Sequence, residues 1–135
     1  MGHTNGMSYA PRGKSEPVTS PEEFRVAVVG LDHGHIYGMI HGLRDAGAGI
    51  ELVYDPDPEA VSAFRSVFPE VRAARSREEV LESSSVAMVV SAAIPADRGP
   101  LGLEVHAAGK HFFVDKAPFT TTEQLAAARR SVKES

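Results

Sequence analysis

A six-residue segment, Gly30-Leu31-Asp32-His33-Gly34-His35, combines glycines with side chains that can bind a ligand. An apolar run precedes it and a helical pattern follows it, so free backbone N–H groups at a helix amino terminus could bind a pyrophosphate. A dinucleotide fingerprint places three glycines in such a loop. Only the first is matched in place, because Asp32 and His35 occupy the other two positions and Gly34 comes one place early. We predict cofactor contacts from Gly30, Asp32, His33, Gly34 and His35.

Two aspartates near this loop each have a second interpretation. Asp32 would repel a pyrophosphate unless its side chain turns away to accept a hydrogen bond as the helix N-cap, and we favour the cap. Asp55 ends the second apolar run, where a carboxylate can bind the ribose hydroxyls of a dinucleotide. Its charge would repel a 2′-phosphate, so a ribose contact predicts NAD, with NADP less favoured. An ordinary turn aspartate before Pro56 is an equally good interpretation.

Metal-ligand residue types also cluster here, because Asp32, His33, His35 and His41 fall within ten positions. We nevertheless expect no metal. His33 and His35 would point apart in an extended loop, and His41 lies about two turns into the helix. Neither a cysteine nor a second carboxylate completes the ligand set. Surface histidines are the simpler interpretation, and a metal-assisted enzyme is the least favoured hypothesis.

Lys116 follows the last apolar run, in the segment Val114-Asp115-Lys116-Ala117-Pro118. A lysine at the end of a strand can hydrogen-bond a ribose or substrate hydroxyl, and the neighbouring carboxylate could hold it in place. The residues alone favour a solvated loop lysine as the commoner alternative. The segment is therefore a candidate catalytic and cofactor-binding site.

The elements that must position these residues alternate along the chain. Apolar runs predict buried strands at 24–30, 50–55, 71–73, 86–91 and 111–115. Helical spacing and capping residues predict helices at 36–43, 60–67, 77–81, 101–108 and 123–132, with Ser76 as an N-cap and Gly109 as a C-cap. This alternation indicates an α/β fold with a doubly wound, mostly parallel sheet of Rossmann type in a single domain. Ligands of such sheets bind beyond the carboxyl ends of the strands.

The composition, 42% hydrophobic and 24% charged, is that of an ordinary globular domain. Residues 1–23 are rich in Gly, Ser and Pro, so we expect a flexible leader there and the domain at 24–135. A net charge of −4 argues against nucleic-acid and membrane partners. The lack of cysteine excludes a disulfide framework and a cysteine nucleophile. Without a signal-like or membrane-spanning apolar run, we expect a cytoplasmic protein.

Three segments together resemble the amino-terminal domain of the Gfo/Idh/MocA family of NAD(P)-dependent sugar and inositol dehydrogenases. They are Arg25-Val26-Ala27-Val28-Val29-Gly30-Leu31, Val53-Tyr54-Asp55-Pro56-Asp57-Pro58 and Ala107-Ala108-Gly109-Lys110-His111-Phe112-Phe113-Val114-Asp115-Lys116. The third is similar to the family's A-G-K-H-V-hydrophobic-hydrophobic-E-K-P segment. The resemblance covers about residues 25–128. It implies that Lys116 lies beside the nicotinamide and the substrate, and that Asp115 supports the site.

The sequence also departs from the family pattern. Ala117 stands where the family has proline, and the segment 93–98 lacks the histidine of the family's T-P-N-x-x-H stretch. The family's carboxy-terminal substrate domain is expected to be absent from 135 residues. The resemblance thus implies the nicotinamide-binding domain of an oxidoreductase acting on a sugar, polyol or inositol-like CH–OH group, inactive alone unless a partner chain supplies the missing domain. The alternative is a non-catalytic nucleotide-sensing or protein-interaction domain.

Overall fold

Residues 16–135 are described by a computed structural model and form a five-stranded sheet with helices on both faces. The strands are β1 Arg25–Val29, β2 Gly49–Tyr54, β3 Arg72–Ala73, β4 Val86–Ser91 and β5 His111–Val114. The helices are α1 His35–Asp45, α2 Pro58–Val67, α3 Arg77–Glu82, α4 Pro95–Ala107 and α5 Thr122–Glu134. The strands are all parallel, in the order β3-β2-β1-β4-β5. The predicted doubly wound, Rossmann-type sheet is confirmed.

The central strand β1 is buried on both faces, which explains its unbroken apolar run. Val26 and Val28 pack into one core cluster with residues of α1 and α2. Ala27 and Val29 pack into the other, with residues of α3 and α4. Because side chains alternate along a strand, a strand between two helix layers needs apolar residues at every position.

The end of the predicted leader contacts the turn that follows helix α1. The Val18 N–H donates to the Ala46 carbonyl oxygen (2.9 Å). Gly47 has φ +102°, and the space its side chain would need is taken by the Thr19 carbonyl. The leader boundary at residue 23 stays a prediction, and the part of it that falls on residues 1–15 lies outside the described residues.

Helix α4 starts at Pro95 rather than at residue 101, so it absorbs the segment 93–98 that follows β4. Pro95 stands in its first turn, where a proline fits because the missing N–H has no partner there. The helix ends at Ala107 with Ala108 as its C-cap, one residue earlier than the predicted C-cap Gly109, which follows with φ +73°. None of the helices between residues 16 and 135 has both the length and the apolar character to cross a bilayer.

The start of α3 is fixed by side chains. The Ser76 hydroxyl accepts a hydrogen bond from the Glu79 N–H (3.1 Å), which confirms the predicted N-cap. The Glu79 carboxylate in turn accepts the Arg75 N–H and an Arg72 guanidinium N–H, each at 2.7 Å. These two hydrogen bonds lower the pKa of Glu79 from 4.5 to about 2, and the bond from the Arg75 backbone has the larger effect.

Replacing Glu79 with glutamine should lower the unfolding temperature at pH 7. It should also make the unfolding temperature fall less steeply as the pH is lowered. The lowered pKa of Glu79 in the folded state means that its contribution is complete above pH 4.5 and is lost between pH 4.5 and about 2. Thermal unfolding followed by circular dichroism at pH 7, 5 and 3 measures this. Glu82→Gln, at the exposed end of the same helix, is the control. Parallel pH profiles for wild type and Glu79→Gln would contradict the assignment.

Candidate nucleotide-binding site

An open groove of about 510 Å³ lies at the carboxyl ends of β1, β2 and β4. Gly30 and Asp32 line it after β1, Asp55 after β2 and Ala93 after β4. From β1 the chain continues to β2 on one side, and from β3 it returns to β4 on the other side of β1, because β1 lies between β2 and β4. This is the switch point at which doubly wound sheets bind their ligands.

Gly30 fits its place in the groove only because it lacks a side chain. Its φ is +90°, and a Cβ would lie 3.0 Å from both Ala93 Cβ and Ser91 Oγ. Its N–H donates to the Tyr54 carbonyl, and its own carbonyl accepts the Ala92 N–H, each at 3.1 Å. The chain therefore turns out of β1 while it is still bonded to both neighbouring strands.

The prediction that Asp32 caps helix α1 is wrong. The helix begins at His35 with Gly34 as the N-cap residue, and within the described chain this cap has no side-chain hydrogen bond. The nearest substitute is His33, whose Nδ1 accepts the His35 N–H (3.2 Å). The His33 N–H is itself bonded to the Ala92 carbonyl (3.1 Å), which places the histidine rather than Asp32 beside the helix terminus. Asp32 is exposed and lines the groove instead.

Both carboxylate oxygens of Asp55 hold backbone N–H groups. Oδ2 accepts from Leu31 (2.8 Å) and Oδ1 accepts from Asp57 (2.8 Å). The second bond is the local contact of a turn aspartate, and the first ties the turn after β2 to the loop after β1. Each carboxylate oxygen retains a lone pair, so the ribose contact stays a prediction beside the turn role.

On the other side of the same loop, His35 and Lys116 meet around Asp115. His35 Nδ1 lies 2.6 Å from Asp115 Oδ2, while Lys116 Nζ lies 3.9 Å from that oxygen and 3.4 Å from the ring nitrogen. The expectation that His33 and His35 point apart is wrong, since their ring centroids are 4.0 Å apart. The cause is the hydrogen bond between His33 Nδ1 and the His35 N–H, which turns the first ring back toward the helix.

These residues also have the composition of a metal site. Ligand atoms of His33, His35 and Asp115 all lie within 4.8 Å of one another. The ammonium of Lys116 stands beside the same ring nitrogen and carboxylate oxygen, however, and would repel a metal cation bound there. A metal would also have to displace the 2.6 Å contact between His35 and Asp115. The geometry favours an ion-pair cluster.

A buried arginine completes the cluster and could not be recognised from the sequence as a site residue. The Arg98 side chain is 6% exposed, and its NH2 lies 3.7 Å from Oδ1 of Asp115, which is 8% exposed. Its Nε donates to the Ala93 carbonyl (2.8 Å). Burial by itself raises the pKa of Asp115, but the His35 hydrogen bond and the charges of Arg98 and Lys116 outweigh it, and the pKa is lowered. Asp115 is therefore a carboxylate at neutral pH.

No protein-family model and no curated protein matches the chain, whereas solved structures do. A presumed oxidoreductase from Erwinia carotovora atroseptica SCRI1043 is 43% identical over 83% of this chain and 34% of its own, with a TM-score of 0.79. The structural neighbours are oxidoreductases of the Gfo/Idh/MocA type, and the chain is similar to their amino-terminal NAD-binding part.

Two more distant neighbours share the fold. The WlbA dehydrogenase from Chromobacterium violaceum, in complex with NADH and UDP-GlcNAcA, is 22% identical over 89% of this chain and 34% of its own, with a TM-score of 0.71. The myo-inositol 2-dehydrogenase from Lactobacillus plantarum is 12% identical over 82% of this chain and 33% of its own, with a TM-score of 0.69. The chain thus spans about a third of the length of these neighbours. Among the solved structures similar to this chain are complexes with NADH and a complex with NADP+.

Proposed function

We propose that this chain is the NAD-binding part of an oxidoreductase acting on a CH–OH group of a sugar, polyol or inositol-like substrate. The observation that carries the proposal is the groove at the switch point of the sheet, which Gly30 and Asp55 line. In this proposal the backbone from Gly30 to His35 faces the pyrophosphate and Asp55 faces the ribose. The Asp32 carboxylate lines the same groove and weakens pyrophosphate binding by charge repulsion, so the expected affinity is low. Lys116 faces the reacting end. The bound nicotinamide would supply the hydride acceptor or donor.

The charge of the groove favours NAD over NADP. Five carboxylates line it, those of Asp32, Asp55, Glu78, Asp97 and Glu104. Arg77 is the one basic residue among the described lining residues, and its Nε is already 3.3 Å from Glu104. An additional 2′-phosphate would meet this negative field without a free cation to bind it.

In this proposal the reaction also uses groups outside residues 1–135. The chain spans about a third of the length of its solved neighbours, so we propose that a further domain, in the same polypeptide or in a partner chain, supplies the substrate pocket. A cytoplasmic location is part of the same hypothesis. Reading the gene beyond the codon for Ser135 is the direct check, because an open frame of about one more domain would complete the enzyme.

Titration of the chain with NADH, followed by nucleotide fluorescence, should show weak but saturable binding, with NADPH binding at least about tenfold more weakly because of groove repulsion. Asp55→Ala should weaken NADH binding and narrow the difference between the two nucleotides. Asp45→Ala, an exposed change at the opposite end of α1, is the matched control. Absence of NADH binding at millimolar concentration would remove the proposal.

A further inference from the structure

The Asp115 carboxylate is approached by three basic side chains on two sides. Arg98 lies on the buried side, with its NH2 3.7 Å from Oδ1. His35 and Lys116 both approach Oδ2, the imidazole at 2.6 Å and the ammonium at 3.9 Å. The histidine therefore holds the position on this oxygen that an ion pair with the lysine would require, since charge-assisted N–H···O contacts are normally about 2.7–2.9 Å.

The protonation of the ring follows from this contact. A ring nitrogen at hydrogen-bond distance from an ionised carboxylate must carry a proton, because two lone pairs at that distance would repel. A protonated Nδ1 cannot also accept a hydrogen bond. The 3.4 Å approach of Lys116 Nζ to the same Nδ1 is then a contact between two donors. Among the described residues, Lys116 is left without a strong hydrogen-bond partner.

The competition favours the histidine for a physical reason. His35 is the first residue of α1, and its ring is carried by only two side-chain torsions, so little conformational freedom is lost when the ring binds Asp115. Lys116 lies in the loop after β5 with its side chain 58% exposed. Holding a long lysine side chain in one place costs more conformational entropy.

We propose that His35 is a positioning residue for Lys116. The His35 ring occupies Oδ2 of Asp115 and so keeps the lysine amine from forming a tight ion pair with that oxygen. The amine then stays free to approach a substrate hydroxyl. That last step rests on the proposed function, whereas the competition for Asp115 is a property of the isolated domain. Arg98 and His33 complete the set of basic groups that face the pair.

The reactivity of Lys116 tests this proposal without cofactor or substrate. The whole chain is treated with a limiting amine-acetylating reagent, and the rate at each lysine is read by mass spectrometry, with exposed Lys133 as the internal reference. His35→Leu should slow acetylation of Lys116 relative to Lys133 by about two- to fivefold, the effect of forming one solvent-exposed ion pair. His35→Asn, which keeps a short side-chain N–H donor, should restore the wild-type rate.

A second variant tests the trapping carboxylate itself. Asp115→Asn in the His35→Leu background removes the carboxylate that would trap the amine, so the fast rate should return. Its urea unfolding curve is recorded as well, because the same change removes the counter-charge of buried Arg98, and only a variant that is still folded counts. The proposal is overturned if His35→Leu leaves the relative rate unchanged or raises it, or if the asparagine variant is as slow as the leucine variant. NADH titration of the wild-type chain is run in parallel. Absence of NADH binding with the expected acetylation pattern would count against the proposed function alone.

Discussion

Replacing Asp115 with leucine is expected to destabilise the domain by about 2–4 kcal/mol, because the buried guanidinium of Arg98 loses its counter-charge. The Arg98 side chain is 6% exposed, and its hydrogen bond to the Ala93 carbonyl uses only Nε. The opposite side of the pair is open to solvent through His35, which is 45% exposed, so the loss should fall somewhat below that of a fully enclosed ion pair.

Urea unfolding followed by circular dichroism measures this loss. A double-mutant cycle with Arg98→Met then isolates the interaction, because the double variant leaves neither member of the buried pair without its partner. Its loss of unfolding free energy should be smaller than the sum of the two single losses by about 1 kcal/mol or more. Asp45→Leu, at an exposed position, controls for the loss of a carboxylate. Additive single changes, or a stable Asp115→Leu variant, would show that the ion pair does not hold the site together.

Gly30→Ala is expected to cost about 2–4 kcal/mol through backbone strain and overpacking, and to abolish measurable nucleotide binding. The residue has φ +90°, and the added Cβ would meet Ala93 Cβ and Ser91 Oγ at 3.0 Å. Neither neighbour can move away easily, because Ser91 ends the buried strand β4 and Ala93 is 5% exposed. The loop could form only by shifting away from the strand ends.

Gly34→Ala is the matched control, four residues further along the same loop. It has φ −61°, and a Cβ there would meet no described atom within 4 Å. Its stability should stay within about 0.5 kcal/mol of wild type. Its NADH affinity should nevertheless fall, if the pyrophosphate lies over the amino terminus of α1. Unfolding curves and NADH titrations of both variants separate strain from ligand contact, and equal stability of the two variants would refute the role assigned to Gly30.

The sequence predicted the sheet well because its strands are buried on both faces. A run such as that of β1 has few structural alternatives when it is bounded by glycine and followed by a helical pattern. Helix α4 was the weakest of these predictions. Its first two turns contain Pro95, Gly99 and Pro100, residue types that disfavour helix interiors. The helix nevertheless begins at Pro95, because its later residues Leu101 and Val105 pack into the core and stabilise it.

The site was harder to predict because it depends on contacts distant in sequence. His35 and Asp115 are 80 residues apart, and nothing local to either indicates the 2.6 Å contact between them. Arg98 carries no signal of burial, since arginine is usually exposed. Asp32 is not the cap because the His33 N–H donates to the Ala92 carbonyl, directly after β4, and the helix begins only at His35. Long-range pairing, rather than local propensity, decided these positions.

We propose that the groove beside Gly30 binds a nicotinamide dinucleotide. Titrating the ¹⁵N-labelled chain with NAD+ and following its amide resonances tests it most directly. We expect saturable shifts at residues 30–35 and at Asp55 and Lys116, with α5 unaffected. Absence of shifts at millimolar NAD+, or shifts confined to the far side of the sheet around α5, would contradict it.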